Sequence, residues 1–234
     1  MAQKIVYVEG VGDVLLSKRR GTTHLRLSIN AHGQVRVGLP HWTPYAAGIA
    51  FARSRNEWIA KQLNKHQITE LRHNDRIGKS NRLKLVFNSD SNRPYTKITN
   101  NQIAIKTPWP LESAETQKLV IKASNKALKA EAEHLLPQRL KDLADRYRFS
   151  YKSVEVKKLS SRWGSCNNKK QIKLSFYLMQ LPWHLIDYVI LHELAHTEHL
   201  NHGQKFWTRL ESVQKDAKKL RKEINTYKPG VFAQ

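Results

Sequence analysis

The segment from Trp183 to His196 sets the strongest limit on what this chain can fold into. Leu185, Ile186, Val189, Ile190 and Leu194 recur there at helical spacing, which predicts a helix with most of its surface buried. His192 and His196 lie one turn apart on that helix and project from the same face, with Glu193 beside them. Burying two imidazoles and a carboxylate without partners is costly, roughly 2–7 kcal/mol even for a neutral polar group. A bound cation removes that cost, so this face is expected to hold a metal.

Catalytic zinc takes three protein ligands and keeps a fourth position for water. Glu198, His199 and His202 follow closely enough to be considered for the third. On a straight helix position 199 lies about 10.5 Å along the axis from His192, too far for one ion at about 2 Å from each nitrogen. The helix must therefore end and the chain fold back. Asn201 is the expected pivot, because asparagine tolerates the left-handed conformation that ends helices, and Gly203 adds freedom beyond it. His202 can then swing toward the metal. The five residues between His196 and His202 match the metzincin spacing, but His199 stands where that motif has glycine. His199 is read as a supporting or solvent-facing residue.

At 234 residues the chain can bury a substantial core. The expectation is an α+β fold in two parts, a β-rich N-terminal domain with one helix over 1–110, and a helical segment plus zincin-like catalytic domain over 111–234. In the first part Thr22 to Ile29 and Val35 to Leu39 alternate as two strands around the turn Asn30-Ala31-His32-Gly33. Thr43-Pro44 opens a helix carrying Trp58, Ile59 and Leu63, and strands are expected over Leu83 to Phe87 and Gln102 to Ile105. Pro108 and Pro110 mark a junction. A helix runs from Ser113 to about Leu136, Pro137 breaks or kinks it, and a second helix reaches Tyr147. Val154 and Val156, then Ile172, Leu174 and Phe176, read as strands flanking the polar turn Cys166 to Lys170. A final amphipathic helix covers about Gln204 to Tyr227. No internal repeat is evident.

No apolar run approaches the roughly 18 residues of a membrane span and the N-terminus lacks a signal-peptide core, so a soluble, cytoplasmic protein is expected. The single cysteine, Cys166, excludes an internal disulfide and suits a reducing compartment. With 41 Lys and Arg against 19 Asp and Glu, the net charge is +22. Such a field attracts polyanions, whether nucleic acid or phosphorylated small molecules. No aromatic-rich nucleic-acid motif accompanies it.

Ser161-Arg162-Trp163-Gly164-Ser165-Cys166, Ile172-Lys173-Leu174, Ile186 to Val189, His192-Glu193-Leu194-Ala195-His196, and Asn201-His202 with Phe206-Trp207 closely resemble the YgjP-like family of zinc-metallopeptidase-like proteins. The resemblance is strongest over about 160 to 207 and extends more weakly to Lys18 through Leu39 and to Trp58-Ile59. It implies kinship to SprT-like proteases and, more distantly, to gluzincin-type peptidases. It also implies one zinc ion on His192, His196 and His202, with Glu193 as catalytic base. For Trp163 to Cys166 the plain account is a tight turn at Gly164 with Trp163 in the core.

Three functions compete. The first is a zinc peptidase, recruited to nucleic acid by its charge, in which Gln171 to Phe176 serves as an edge strand for an extended peptide. The second is a metal-dependent nucleotide pyrophosphatase, in which the activated water attacks a phosphoanhydride. The third is a non-enzymatic nucleic-acid-binding module with structural zinc, although such zinc usually has four protein ligands. Arg162, Tyr177, Tyr188, His184 and His199 are all chemically able to stabilise an oxyanion. Substrate and oligomeric state are not readable from the chain.

Overall fold

A computed structural model describes residues 3–29, 33–65, 70–90, 92–99 and 101–231. They form an α+β fold in two compact units, Met1–Ile68 and Thr69–Gln234.

The first unit is a four-stranded sheet with two helices. β1 (Gln3–Val8), β2 (Gly12–Arg19), β3 (Arg26–Ile29) and β4 (Val35–Pro40) lie in the order β1-β2-β4-β3. β2 and β4 run parallel, and the outer pairs are antiparallel. The expected hairpin is β3 with β4, registered from Arg26↔Gly38 to Ile29↔Val35, and its turn at 30–32 falls outside the described residues. Alternation decides which side is buried. Val14, Leu16, Val35, Val37 and Leu39 share one core with Val8, Ala52 and Ile59.

The single helix expected after Pro44 is two, α1 (Tyr45–Arg53) and α2 (Asn56–Lys65). Short polar side chains at the break bond to nearby backbone and compete with helix continuation. Ser54 Oγ donates to Phe51 O at 2.9 Å, and Asn56 Oδ1 accepts from Glu57 N at 2.6 Å.

The second unit opens with another four-stranded sheet. β5 (Arg76–Ile77), β6 (Asn81–Phe87), β7 (Tyr95–Ile98) and β8 (Gln102–Thr107) lie in the order β5-β6-β8-β7. Its two central strands are parallel and its outer pairs antiparallel. This repeats the strand order and the pairing senses of the first sheet, and each sheet is followed by helix. The chain therefore contains an internal topological repeat that its sequence conceals, because a two-residue alternation constrains which positions are apolar and little else.

The observed division at Ile68–Thr69 also differs from the expected one at 110. Leu83, Leu85, Ile103 and Ile105 of the second sheet share a core with Val120, Leu128 and Leu140 of the following helix, so the sheet and helix form one body.

That helix is α3 (Ala114–Tyr147). Ser113 caps it, its Oγ accepting from Thr116 N at 3.2 Å, and Arg148 ends it with a left-handed φ of 58°. Pro137 neither breaks the helix nor divides it in two. Proline removes one helical hydrogen bond, and the turns around it bury Leu136, Leu140, Leu143 and Ala144 in the core, which outweighs that loss.

A three-stranded sheet follows, built from β9 (Ser153–Lys157), β10 (Gly164–Cys166) and β11 (Gln171–Ser175) in the order β10-β11-β9. β9 runs parallel to β11, and β10 antiparallel. The polar turn is thus flanked by β10 and β11 rather than by β9, and Phe176 begins a 3₁₀ turn, Phe176–Gln180. β11 is the central strand, so the edge role expected for Gln171 to Phe176 passes to β10. Three helices complete the unit: α4 (Trp183–Ala195), α5 (Gln204–Val213) and α6 (Ala217–Ile224). The last two replace one expected helix, interrupted where Gln214 takes an extended φ of −140° and ψ of 88°. No helix among the described residues is long and apolar enough to cross a membrane.

Candidate metal centre

α4 is buried along Leu185, Ile186, Tyr188, Val189, Ile190, Leu191 and Leu194, as its apolar spacing requires. Arg139 of α3 forms a bidentate pair with Asp187, at 2.7 and 2.5 Å, and ties the middle of α4 to α3. The helix ends at Ala195, with His196 as its C-cap at φ −67°, ψ −17°. The reversal therefore begins earlier than Asn201. His199 N donates to Ala195 O at 2.9 Å, and Gly203 N to Asn201 O at 2.8 Å, folding the chain tightly around His202. Neither Asn201 nor Gly203 is left-handed; the positive-φ non-glycine residues described are Asn74, Arg148 and Lys170. The expected pivot conformation is absent, although the chain does fold back.

This reversal brings His192, His196 and His202 together, with their ligand atoms within 4.8 Å of one another. His202 Nε2 lies 3.0 Å from His192 Nε2 and 3.1 Å from His196 Nε2. Two nitrogens each about 2.1 Å from a shared tetrahedral zinc would be about 3.4 Å apart, so the donor set fits a single ion. Its protonation fits too. Burial lowers the pKa of all three rings; neighbouring imidazoles add to the effect at His192 and His196, and the Arg221 charge adds to it at His202. His192 is pushed down to about 3. Neutral imidazoles offer lone pairs. His196 Nδ1 faces the His199 carbonyl at 3.0 Å, and donation there leaves Nε2 unprotonated toward its neighbours. His199 thus contributes its backbone carbonyl. Phe206 floors the cluster, its ring 4.9, 4.6 and 4.8 Å from the rings of His192, His196 and His202.

Glu193 is only 6% exposed, and its Oε2 has no hydrogen-bond partner among the described residues. Burial pushes its carboxyl up to about 8, against a partial opposing pull from the Arg162 charge. The backbone of β10 passes directly over it. A Cβ on Gly164 would lie 2.7 Å from both Glu193 Cγ and Oε1. Gly164 therefore serves a close approach in an edge strand, rather than the tight turn expected. Trp163 packs partly buried on the core, and its carbonyl accepts from Ser175 N at 2.8 Å. Burial first, and the Glu193 charge second, raise the Cys166 thiol to about 11.

The other expected donors separate into two groups. Arg162 acts on Glu193, and Tyr188 sits with its ring 5.9 Å from that of His192. Tyr177 instead packs against Phe176, and His184 pairs with Glu223 at 2.7 Å. Sequence reasoning passed over Arg221 of α6. Its guanidinium lies 5.0 Å from the Trp207 ring centroid, and its charge helps depress His192 and His202. Position 221 sits in a run of basic residues, and nothing local distinguishes it from Lys218, Lys219 or Lys222.

The family model described as YgjP-like, metallopeptidase domain, matches residues 23–227. The chain belongs to the YgjP-like family. Membership makes it a metallopeptidase-like hydrolase with a candidate metal centre at its three histidines. Among solved structures, the chain is similar to the metallopeptidase zymogen of Pyrococcus abyssi abylysin at 24% identity and a TM-score of 0.36, over 39% of this chain and 93% of that one. It is also similar to the metallopeptidase zymogen of Methanocaldococcus jannaschii jannalysin at 22% identity and a TM-score of 0.35, over 38% and 93% of the respective chains. No functionally curated protein matches it. The YgjP-like match begins within the first unit and runs through α6.

Proposed function

We propose that this YgjP-like chain is a zinc peptidase in which Glu193 is the general base. The observation that carries the reading is the buried Glu193 carboxyl, whose Oε2 has no hydrogen-bond partner among the described residues, beside three converging imidazoles. A zinc ion on His192, His196 and His202 would supply a bound water of pKa about 7 and a Lewis acid for the scissile carbonyl. Glu193, raised toward neutrality, is matched to take a proton from that water and return it to the leaving amine.

β10 supports an extended peptide as the substrate. Trp163 O and Asn167 N bond inward to Ser175 and Gln171, and Ser165 is registered opposite Lys173. Antiparallel ladders alternate, so the amides and carbonyls of Gly164 and Cys166 face the outer edge, beside Glu193. A peptide can add there as a further strand. The net charge of +22 supports recruitment to nucleic acid as a second element of the reading.

The test is metal analysis followed by assays of wild type and Glu193→Gln on a casein or peptide pool, with and without DNA, and on nucleoside triphosphates. We expect one zinc per chain, peptide cleavage stimulated by DNA, and a loss of about 10²–10⁴-fold in the variant. Nucleotide hydrolysis without proteolysis would replace the peptidase reading with the pyrophosphatase one. DNA binding without either hydrolysis, and indifferent to chelation, would leave a binding module.

A further inference from the structure

Two arginines, from different elements, act electrostatically on the cluster. Arg162 precedes β10 and acts on Glu193, whereas Arg221 comes from α6 and acts on His192, His202 and Tyr188. Arg221 makes no ion pair with a carboxylate among the described residues. Its guanidinium lies over the Trp207 ring, 5.0 Å from the centroid. That ring in turn lies 6.2 Å from the His202 ring, at an interplanar angle of 31°. Stacking on an aromatic face restricts the guanidinium without using its N–H donors. The donors remain available for a planar or tetrahedral oxyanion.

We infer that Arg221 is the anion-binding residue of this site, and that its stacked guanidinium receives an oxyanion group of the substrate beside the three histidines. The inference deepens the hydrolase reading and rests on it for the location of the substrate. The shared chemistry is an oxyanion with two sources: a fixed carboxylate on the peptide, or the charge that develops on the attacked carbonyl oxygen. The first makes Arg221 specificity-determining; the second makes it catalytic.

The test separates binding from turnover. Inorganic phosphate is titrated calorimetrically into zinc-loaded wild type, Arg221→Gln, Arg221→Lys and Lys222→Gln, with metal content and melting temperature matched beforehand. We expect Arg221→Gln to weaken phosphate binding by about tenfold or more, the loss of one charge-assisted interaction. Arg221→Lys should recover part of it, because the charge remains while the fork and the stacking are lost. Lys222→Gln, which removes the neighbouring charge on the same helix, should bind as wild type does. Equal binding by wild type and Arg221→Gln, equal losses at positions 221 and 222, or no phosphate binding by wild type would each overturn the inference. These outcomes do not depend on hydrolysis, so they are distinct from failure of the peptidase reading. Peptides with free and with amidated C-termini then identify the source. A higher KM for free acids alone indicates the fixed carboxylate, and a lower kcat on both indicates the developing charge.

Discussion

Gly164 and Glu193 illustrate what single residues decide here. Because a methyl at position 164 would meet Glu193 Cγ and Oε1 at 2.7 Å, Gly164→Ala forces the base to move or β10 to lift. We expect about 1–3 kcal/mol of destabilisation, read from thermal melting, and at least a tenfold loss of peptide cleavage with zinc content unchanged. Unaltered turnover would show that Glu193 is not held by this strand. Cys166 offers a second readout. Its thiol is raised to about 11, so near neutral pH iodoacetamide should alkylate it about a hundredfold more slowly than an exposed cysteine, with the rate climbing as pH rises toward that value. In Glu193→Gln the charge that Glu193 carries above about pH 8 is gone, so alkylation of the metal-free protein should accelerate at a fixed alkaline pH and change little near neutrality. The convergence of His192 and His196 was legible in the sequence because residues four apart share a helix face. Arg221 was not, since its meaning comes from a ring on another helix.

Elements show where local rules met tertiary ones. Pro137 was expected to break or kink α3, yet the helix continues because Leu136 and Leu140 on either side of it are buried in the core. That conflict predicts that Pro137→Ala stabilises the protein. The restored helical bond and relieved clash, up to about 3 kcal/mol, exceed the roughly 0.4–1 kcal/mol lost through a freer unfolded chain. A lower urea midpoint would contradict this. The Arg139–Asp187 clasp between α3 and α4 is part-exposed, 35% and 22% by side chain. A double-mutant cycle with Arg139→Ala and Asp187→Ala should therefore return about 1 kcal/mol of coupling. Helix α4 was readable from apolar periodicity alone. The left-handed turn assigned to Asn201 and the edge position assigned to β11 were not, because loop backbone and strand order depend on partners far away in the chain.

At the scale of the whole molecule, two separate apolar cores and a repeated sheet topology predict two unfolding transitions in calorimetry. Zinc should raise only the transition of residues 69–234, by linkage to the folded form. A single transition, or a zinc shift in both, would show that the units unfold as one. The α+β class and the β-rich beginning could be read from alternation; the unit boundary could not, because the second sheet shares its apolar face with α3. The position of the donors has one more consequence. All three imidazoles come from the short stretch between His192 and His202, so closing that loop costs little entropy. Glu193, by contrast, is confined by β10 from an earlier part of the chain. Ion capture and assembly of the base can therefore occur at different stages of maturation. On the zinc-peptidase reading, a chain trapped in a misfolded state with that loop formed and β10 displaced would hold a full equivalent of metal and be inert. Metal stoichiometry then reports on one loop, and only turnover reports on the finished enzyme.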